Sequence, residues 1–240
     1  MGEGRWVDDE VVAALHDAAR RGDPDAYVAA LPHACLVMPG DPDEGGWAVA
    51  DTPAGTSVVV YTSVEALPDG VPGYTIWAAF DLFHGWPDPA WSLLVDAGLS
   101  TEVTLAAEAV PVVAARAARA YPLDAALWAA DAEPRSYLDA IVPADVVVPM
   151  RPGGSPSLDL ADPEFAWWRV PDEPAIALFT SPVRLRARLG DAPWLVAAFA
   201  DVLRHWPDGH AALVDPDHPI GAHLPADAMA AMSDAARTSP

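Results

Sequence analysis

Residues 175–189 read AIALFTSPVRLRARL. A short apolar run ending at Thr180 predicts a buried strand. Ser181 then offers a hydroxyl to the free amides of a helix whose first position is Pro182, where the fixed backbone angle suits a helix start. The chain says nearly the same thing earlier, at residues 57–67, SVVVYTSVEAL. Working outward, the flanks repeat as well. Tyr137 answers Tyr27, and ADVVVP at 144–149 answers ACLVMP at 34–39. Trp206 answers Trp86, and Leu213-Val214-Asp215 answers Leu94-Val95-Asp96. Several matches in one order, separated by about one domain length, indicate a duplication.

The segments between these anchors alternate strand and helix signals. Asp8 and Asp9 precede Val11, Leu15 and Ala18 on one helix face, and Gly22 follows Arg20 and Arg21 as a stop. Residues 40–46, GDPDEGG, read as a polar turn, and 47–50 with 57–61 read as a hairpin. Ile76, Phe80 and Phe83 mark one face of an expected helix ending near Gly85. Leu195, Ala198, Phe199, Val202, Leu203 and Trp206 give the second half the same helix with a fuller stripe. Residues 125–130 mirror the opening helix. The expected fold is α+β: two homologous tandem domains, each a mixed β-sheet with helices packed on it, related by a pseudo-twofold. The boundaries fall at 1–112 and 122–240, with an Ala-rich helical linker at 113–121.

Composition narrows the function. The 240 residues are 52% hydrophobic, enough for a sizeable core. A single cysteine, Cys35, excludes an internal disulfide. No apolar run approaches the roughly 20 residues of a membrane helix, and the opening MGEGRWVDDE is no signal peptide. A cytoplasmic protein without membrane insertion is expected. The net charge of −22, with 35 acidic and 13 basic residues, argues against nucleic-acid binding, because phosphates repel such a surface. It admits a basic protein partner, and it equally serves solubility.

Each chemical motif has a plainer explanation beside it. Thr62-Ser63 and Thr180-Ser181 lack the glycines of a nucleophile elbow. Trp86-Pro87-Asp88 and Trp206-Pro207-Asp208 resemble a phosphatase acid loop, yet Cys35 has no phosphate-cradling loop or arginine after it. Pro after Trp simply ends a helix. His205, His210, His218 and His223 cluster late, with spacings that fit no usual ligand pair. Trp167 and Trp168 are adjacent in an expected strand, so one joins the core and the other faces a partner, the other half or solvent.

The pattern resembles the N-terminal domain of SseB-type proteins. Tyr27 and Tyr137, Pro39 and Pro149, Tyr61-Thr62-Ser63 and Phe179-Thr180-Ser181 carry that resemblance. Asp96-Ala97-Gly98 and Asp215-Pro216-Asp217 stand where the family has Asn-Pro-Gly. The resemblance implies no enzyme activity and no cofactor or metal. It implies an accessory or interaction protein with a protein partner, since some members of the family are linked to secretion loci of the type VII kind. Two alternatives stand beside it: a metal-dependent hydrolase using His218, His223 and Asp215, and an acidic inhibitor or immunity protein binding a basic partner. The strands ending at Thr180 and Asp215 are expected to stop at one sheet edge. Candidate binding residues are therefore Thr180, Ser181, Asp215, Asp217 and His218, with Trp167 and Trp168. Replacing Asp215 and His218 by alanine is expected to weaken partner binding and to leave folding intact.

Overall fold

A computed structural model describes residues 9–40, 46–53, 55–129, 134–153, 159–162, 164–171 and 173–238. Asp8, most of the turn at 40–46, Ala54 in the hairpin turn and Ala130 lie outside the described residues. The chain divides into two compact units, Met1–Tyr121 with Arg186–Asp191, and Pro122–Leu185 with Ala192–Pro240. The fold is α+β.

In the first unit, α1 (Asp9–Arg21) buries Leu15 and Ala18 against the core. Gly22, at φ +62°, donates to the Ala19 carbonyl while the Asp23 amide bonds to Ala18. This is a Schellman stop, and only a residue at ease with positive φ completes it. Asp23 caps α2 (Pro24–Ala30) by accepting from the Ala26 amide at 3.0 Å. Then come β1 (Cys35–Pro39), β2 (Val49–Thr52) and β3 (Gly55–Val60), followed by β4 (Tyr74–Ala78) and α3 (Ala79–His84). The unit closes with β5 (Ser92–Val95), β6 (Val103–Leu105) and α4 (Val110–Ala120).

Strands β2, β3, β5 and β6 form one mixed sheet in that order, with β3 and β5 parallel. Strands β1 and β4 pair antiparallel, and reciprocal bonds between Val37 and Tyr61 join them to the end of β3. Val58 and Val60 meet Leu93 and Val95 in the main core, while Val59 and Leu94 face a smaller cluster with Val37 and Tyr61. That alternation is the period of two along a strand. Helix α4 buries Val110, Val113 and Ala117 in the first unit.

The second unit runs α5 (Pro122–Ala129), α6 (Pro134–Ile141), β7 (Asp145–Pro149), β8 (Ala175–Leu178), the first half of α7 (Pro182–Leu189), β9 (Trp194–Ala198) and α8 (Phe199–Arg204). It ends with β10 (Ala211–Val214), β11 (Ala222–Leu224) and α9 (Ala226–Thr238). Strands β11, β10 and β8 form a mixed sheet, β8 and β10 being parallel. Strand β7 pairs antiparallel with β9, and Val147 exchanges backbone bonds with Phe179.

The long helices expected from Ile76 to Gly85 and from Leu195 to Trp206 are each a strand followed by a short helix. β4 finds its partner in β1, and β9 in β7. Leu195 and Ala197 turn toward the core and Val196 turns out, which is strand alternation. Helical spacing resumes only at Phe199, Val202 and Leu203. Strand pairing with a distant segment overrides a local apolar stripe that fits a helix.

Cys35 is buried in β1, opposite Ala78. Its thiol is expected to stay silent toward a colorimetric disulfide reagent until the chain unfolds. Stoichiometric labelling of the native protein within the mixing time contradicts this placement.

Candidate functional site

Because β8 and β10 are parallel neighbours, Thr180 and Asp215 emerge side by side beyond their ends. Asp215 has φ +45°, a left-handed conformation that aspartate tolerates better than most residues. Its amide bonds to the Leu178 carbonyl, extending the ladder by one step. Its carboxylate turns inward. Oδ1 accepts from the Thr180 amide at 3.0 Å, and Oδ2 accepts from the Thr180 hydroxyl at 2.6 Å and from Arg184 Nη1 at 2.7 Å. Asp124, from α5, reaches the same hydroxyl through Oδ1, which lies 3.5 Å from Arg184 Nη1. Asp124, Thr180, Ser181, Arg184 and Asp215 are all buried. Ser181 caps α7 by accepting from the Arg184 amide at 3.5 Å. The cap thus places the arginine that the two carboxylates share.

Burial pushes the Asp124 carboxyl up to about 6. The Arg184 charge opposes that push and the Asp215 charge adds to it, while the Thr180 and Ser181 hydroxyls pull downward. Tyr137 of α6 is held above the usual phenol range, chiefly by burial and then by the charge of Asp215.

The first unit builds a related network with different groups. Asp96, at φ +56°, accepts from the Thr62 amide at 2.8 Å and lies 3.0 Å from the Thr62 hydroxyl through each of its oxygens. Thr101 donates to Asp96 Oδ2 at 3.0 Å. His16 of α1 sits 2.9 Å from the Thr62 hydroxyl and 3.3 Å from Asp96 Oδ2. Burial first, and then the charge of Asp96, hold the phenols of Tyr27 and Tyr61 above their usual range.

The turns after these aspartates explain the departure from Asn-Pro-Gly. The Leu99 amide bonds to the Asp96 carbonyl, and the His218 amide bonds to the Asp215 carbonyl. Each is a four-residue turn whose third residue has positive φ, +80° at Gly98 and +64° at Asp217, as a type II turn requires. The first residue must itself take positive φ and also accept from the threonine. Asparagine could do both, but its amide nitrogen cannot accept, and the second oxygen of each aspartate accepts from Thr62 and Thr101 in the first unit and from Thr180 and Arg184 in the second. Farther on, a Cβ at Gly221 would lie 2.4 Å from the Asp215 carbonyl oxygen, so any side chain there forces the loop apart.

The other candidate residues lie in different settings. Asp217 is exposed, and His218 is half-buried with its ring edge-on to Trp128. Both line an open concavity of about 590 Å³, together with Glu173, Leu213 and His223. Trp167 belongs to the core, edge-on to Phe165 and Trp206, and Trp168 is half-buried. The adjacent tryptophans therefore do divide between core and periphery, although an isolated bridge from Trp167 to Met150 replaces the expected strand. The hydrolase trio is not assembled. His218, His223 and Asp215 line one concavity, but both Asp215 oxygens accept bonds inside the fold. Among the described residues no three His, Cys, Asp or Glu side chains come together as a metal set.

Four members of the two networks, His16, Thr101, Asp124 and Arg184, escape a sequence reading. Arg184 lies in RLRAR, where Arg186 and Arg188 look equivalent yet are more exposed. Asp124 is the acidic residue in the first turn of α5 and reads as an ordinary helix-start charge.

Among the described residues no helix is long and apolar enough to cross a membrane. Residues 123–231, nearly all of the second unit, match the family model described as the SseB protein N-terminal domain. No curated protein and no solved structure matches the chain.

Proposed function

We propose, from the match of residues 123–231 to the SseB protein N-terminal domain, that this chain is an SseB-like accessory protein acting through a protein partner, and that its first half is a second copy of the same domain. The family match carries the first part of the reading. The second part is supported by element order and by one shared detail. In each unit a threonine just past a parallel strand gives its amide to a left-handed aspartate just past the neighbouring strand. The reading is non-enzymatic. Thr180, Ser181 and Asp215, the polar groups best placed for chemistry by sequence, are bonded to one another and to the backbone within the fold. Service at a secretion locus of the type VII kind follows only from the family relationship.

A second reading, an acidic inhibitor of a basic protein, is favoured by the net charge of −22. Affinity capture from lysate with the full chain separates the two. Screening shortens from about 10 Å at 0.1 M salt to about 3 Å at 1 M. The accessory reading expects a partner retained at both concentrations through packed contacts. A partner lost at the higher salt favours the acidic inhibitor, and recovery of none at either removes both.

A further inference from the structure

We infer that the second unit holds a buried proton between Asp124 and Asp215, carried on Asp124 and relayed through the Thr180 hydroxyl. A threonine hydroxyl has one proton to give and two lone pairs to receive. Thr180 Oγ1 meets three groups: Asp124 Oδ1, Asp215 Oδ2 at 2.6 Å, and Arg184 Nη1 at 3.3 Å. It can donate to only one carboxylate. With both carboxylates ionised, the other would press its lone pairs against those of the hydroxyl in a site closed to water. One added proton resolves the conflict. Asp124 donates to Thr180, Thr180 donates to Asp215, and Arg184 donates to both Thr180 and Asp215.

The asymmetry of donors assigns the proton to Asp124. Asp215 has the Thr180 amide and Arg184 as donors besides the hydroxyl. Asp124 has the weaker set, with the Ser181 hydroxyl and Arg184 at 3.5 Å, and its Oδ2 is buried without a hydrogen-bond partner, as suits the carbonyl oxygen of a neutral carboxyl better than half of an anion. The ionisable groups facing Asp124 are Arg184 from α7, Asp215 beyond β10 and Tyr137 from α6. Desolvation exceeds the pull of the arginine and raises the Asp124 carboxyl from 3.8 to about 6.

The sign follows from linkage. Between pH 3.8 and about 6 the folded chain holds a proton on Asp124 that the unfolded chain has released. Stability from this group is therefore fully present below the unfolded value and is lost as pH rises through the folded one. Aspartate-selective ¹³C labelling of the full chain tests the inference directly. One side-chain carboxyl carbon is expected to titrate near pH 6, well above the ordinary aspartate value of 3.8, and to vanish from the spectrum of Asp124→Asn. The asparagine amide can donate to Thr180 as the proton did. The stability of the parent chain relative to that variant should then fall between pH 4 and 6.5. If the variant does not fold, the parent titration still decides. No aspartate titrating above pH 5, or an unchanged high-pH signal in folded Asp124→Asn, overturns the inference.

Discussion

Asp215→Ala is expected to lower unfolding stability by about 3–5 kcal/mol, the range for removing one partner of a buried ion pair. The cost lies in what stays behind. Arg184 is buried and loses the carboxylate 2.7 Å from its Nη1, and the Thr180 amide loses its acceptor. Asp124 remains beside Arg184, but at 3.5 Å. A natural domain is stable by only about 5–15 kcal/mol, so the second unit should lose much of its margin. The sequence alone suggested that replacing Asp215 and His218 spares the fold; the inward carboxylate of Asp215 argues against that expectation. Asp96→Ala should cost less, about 1–3 kcal/mol, because no arginine is stranded and His16 is partly exposed to water. Urea unfolding of both variants, followed by far-ultraviolet circular dichroism, makes the comparison. A loss below about 1 kcal/mol for Asp215→Ala refutes the buried-pair account.

Phe199→Ala should be comparably severe, about 3–5 kcal/mol. Phe199 is fully buried at the first position of α8, and its amide bonds to the Ala144 carbonyl just before β7. Its ring fills the core with Leu178, Val202 and Trp206. A void at this junction also loosens the step from strand to helix. Three residues earlier, Val196 is 52% exposed, so Val196→Ala should stay within about 0.5 kcal/mol. Denaturation midpoints of the two variants should therefore separate widely. Near-equal midpoints would mean that Phe199 does not anchor the core.

What the sequence made legible, and what it hid, divides by the range of the interactions. Short-range signals are reliable. Gly22 ends α1, Asp23 starts α2 and Ser181 starts α7, because each acts on backbone groups within a few residues. The parallel ends that bring Thr180 beside Asp215 were also legible, since two apolar runs stop at polar residues in both halves. Leu195 to Trp206 misled because their spacing fits a helix, and only the distant β7 makes the first part a strand. Burial of a charge was invisible for the same reason. Nothing within ten residues of Arg184 announces that Asp124 and Asp215 will meet it.

The parallel pairing of β3 with β5 and of β8 with β10 has a consequence for how the chain reaches this structure. Ser57 and Ser92, bonded side by side across β3 and β5, are 35 residues apart along the chain. A loop of that length must close before the pair gains anything, and its entropy is spent in advance. The hairpin of β2 and β3 is the local exception, and such hairpins form in about 1–10 μs. In the second unit, isolated bridges run from Trp167 to Met150 and from Arg169 to Ile176. There too the contact is local, with the Val170 amide bonded to the Ala175 carbonyl and the Ala177 amide to the Trp168 carbonyl, whereas β10 meets β8 only across a long loop. Strands waiting for distant partners leave edges and apolar faces open to other chains during synthesis. A strongly negative chain, whose copies repel one another, is well suited to survive that interval.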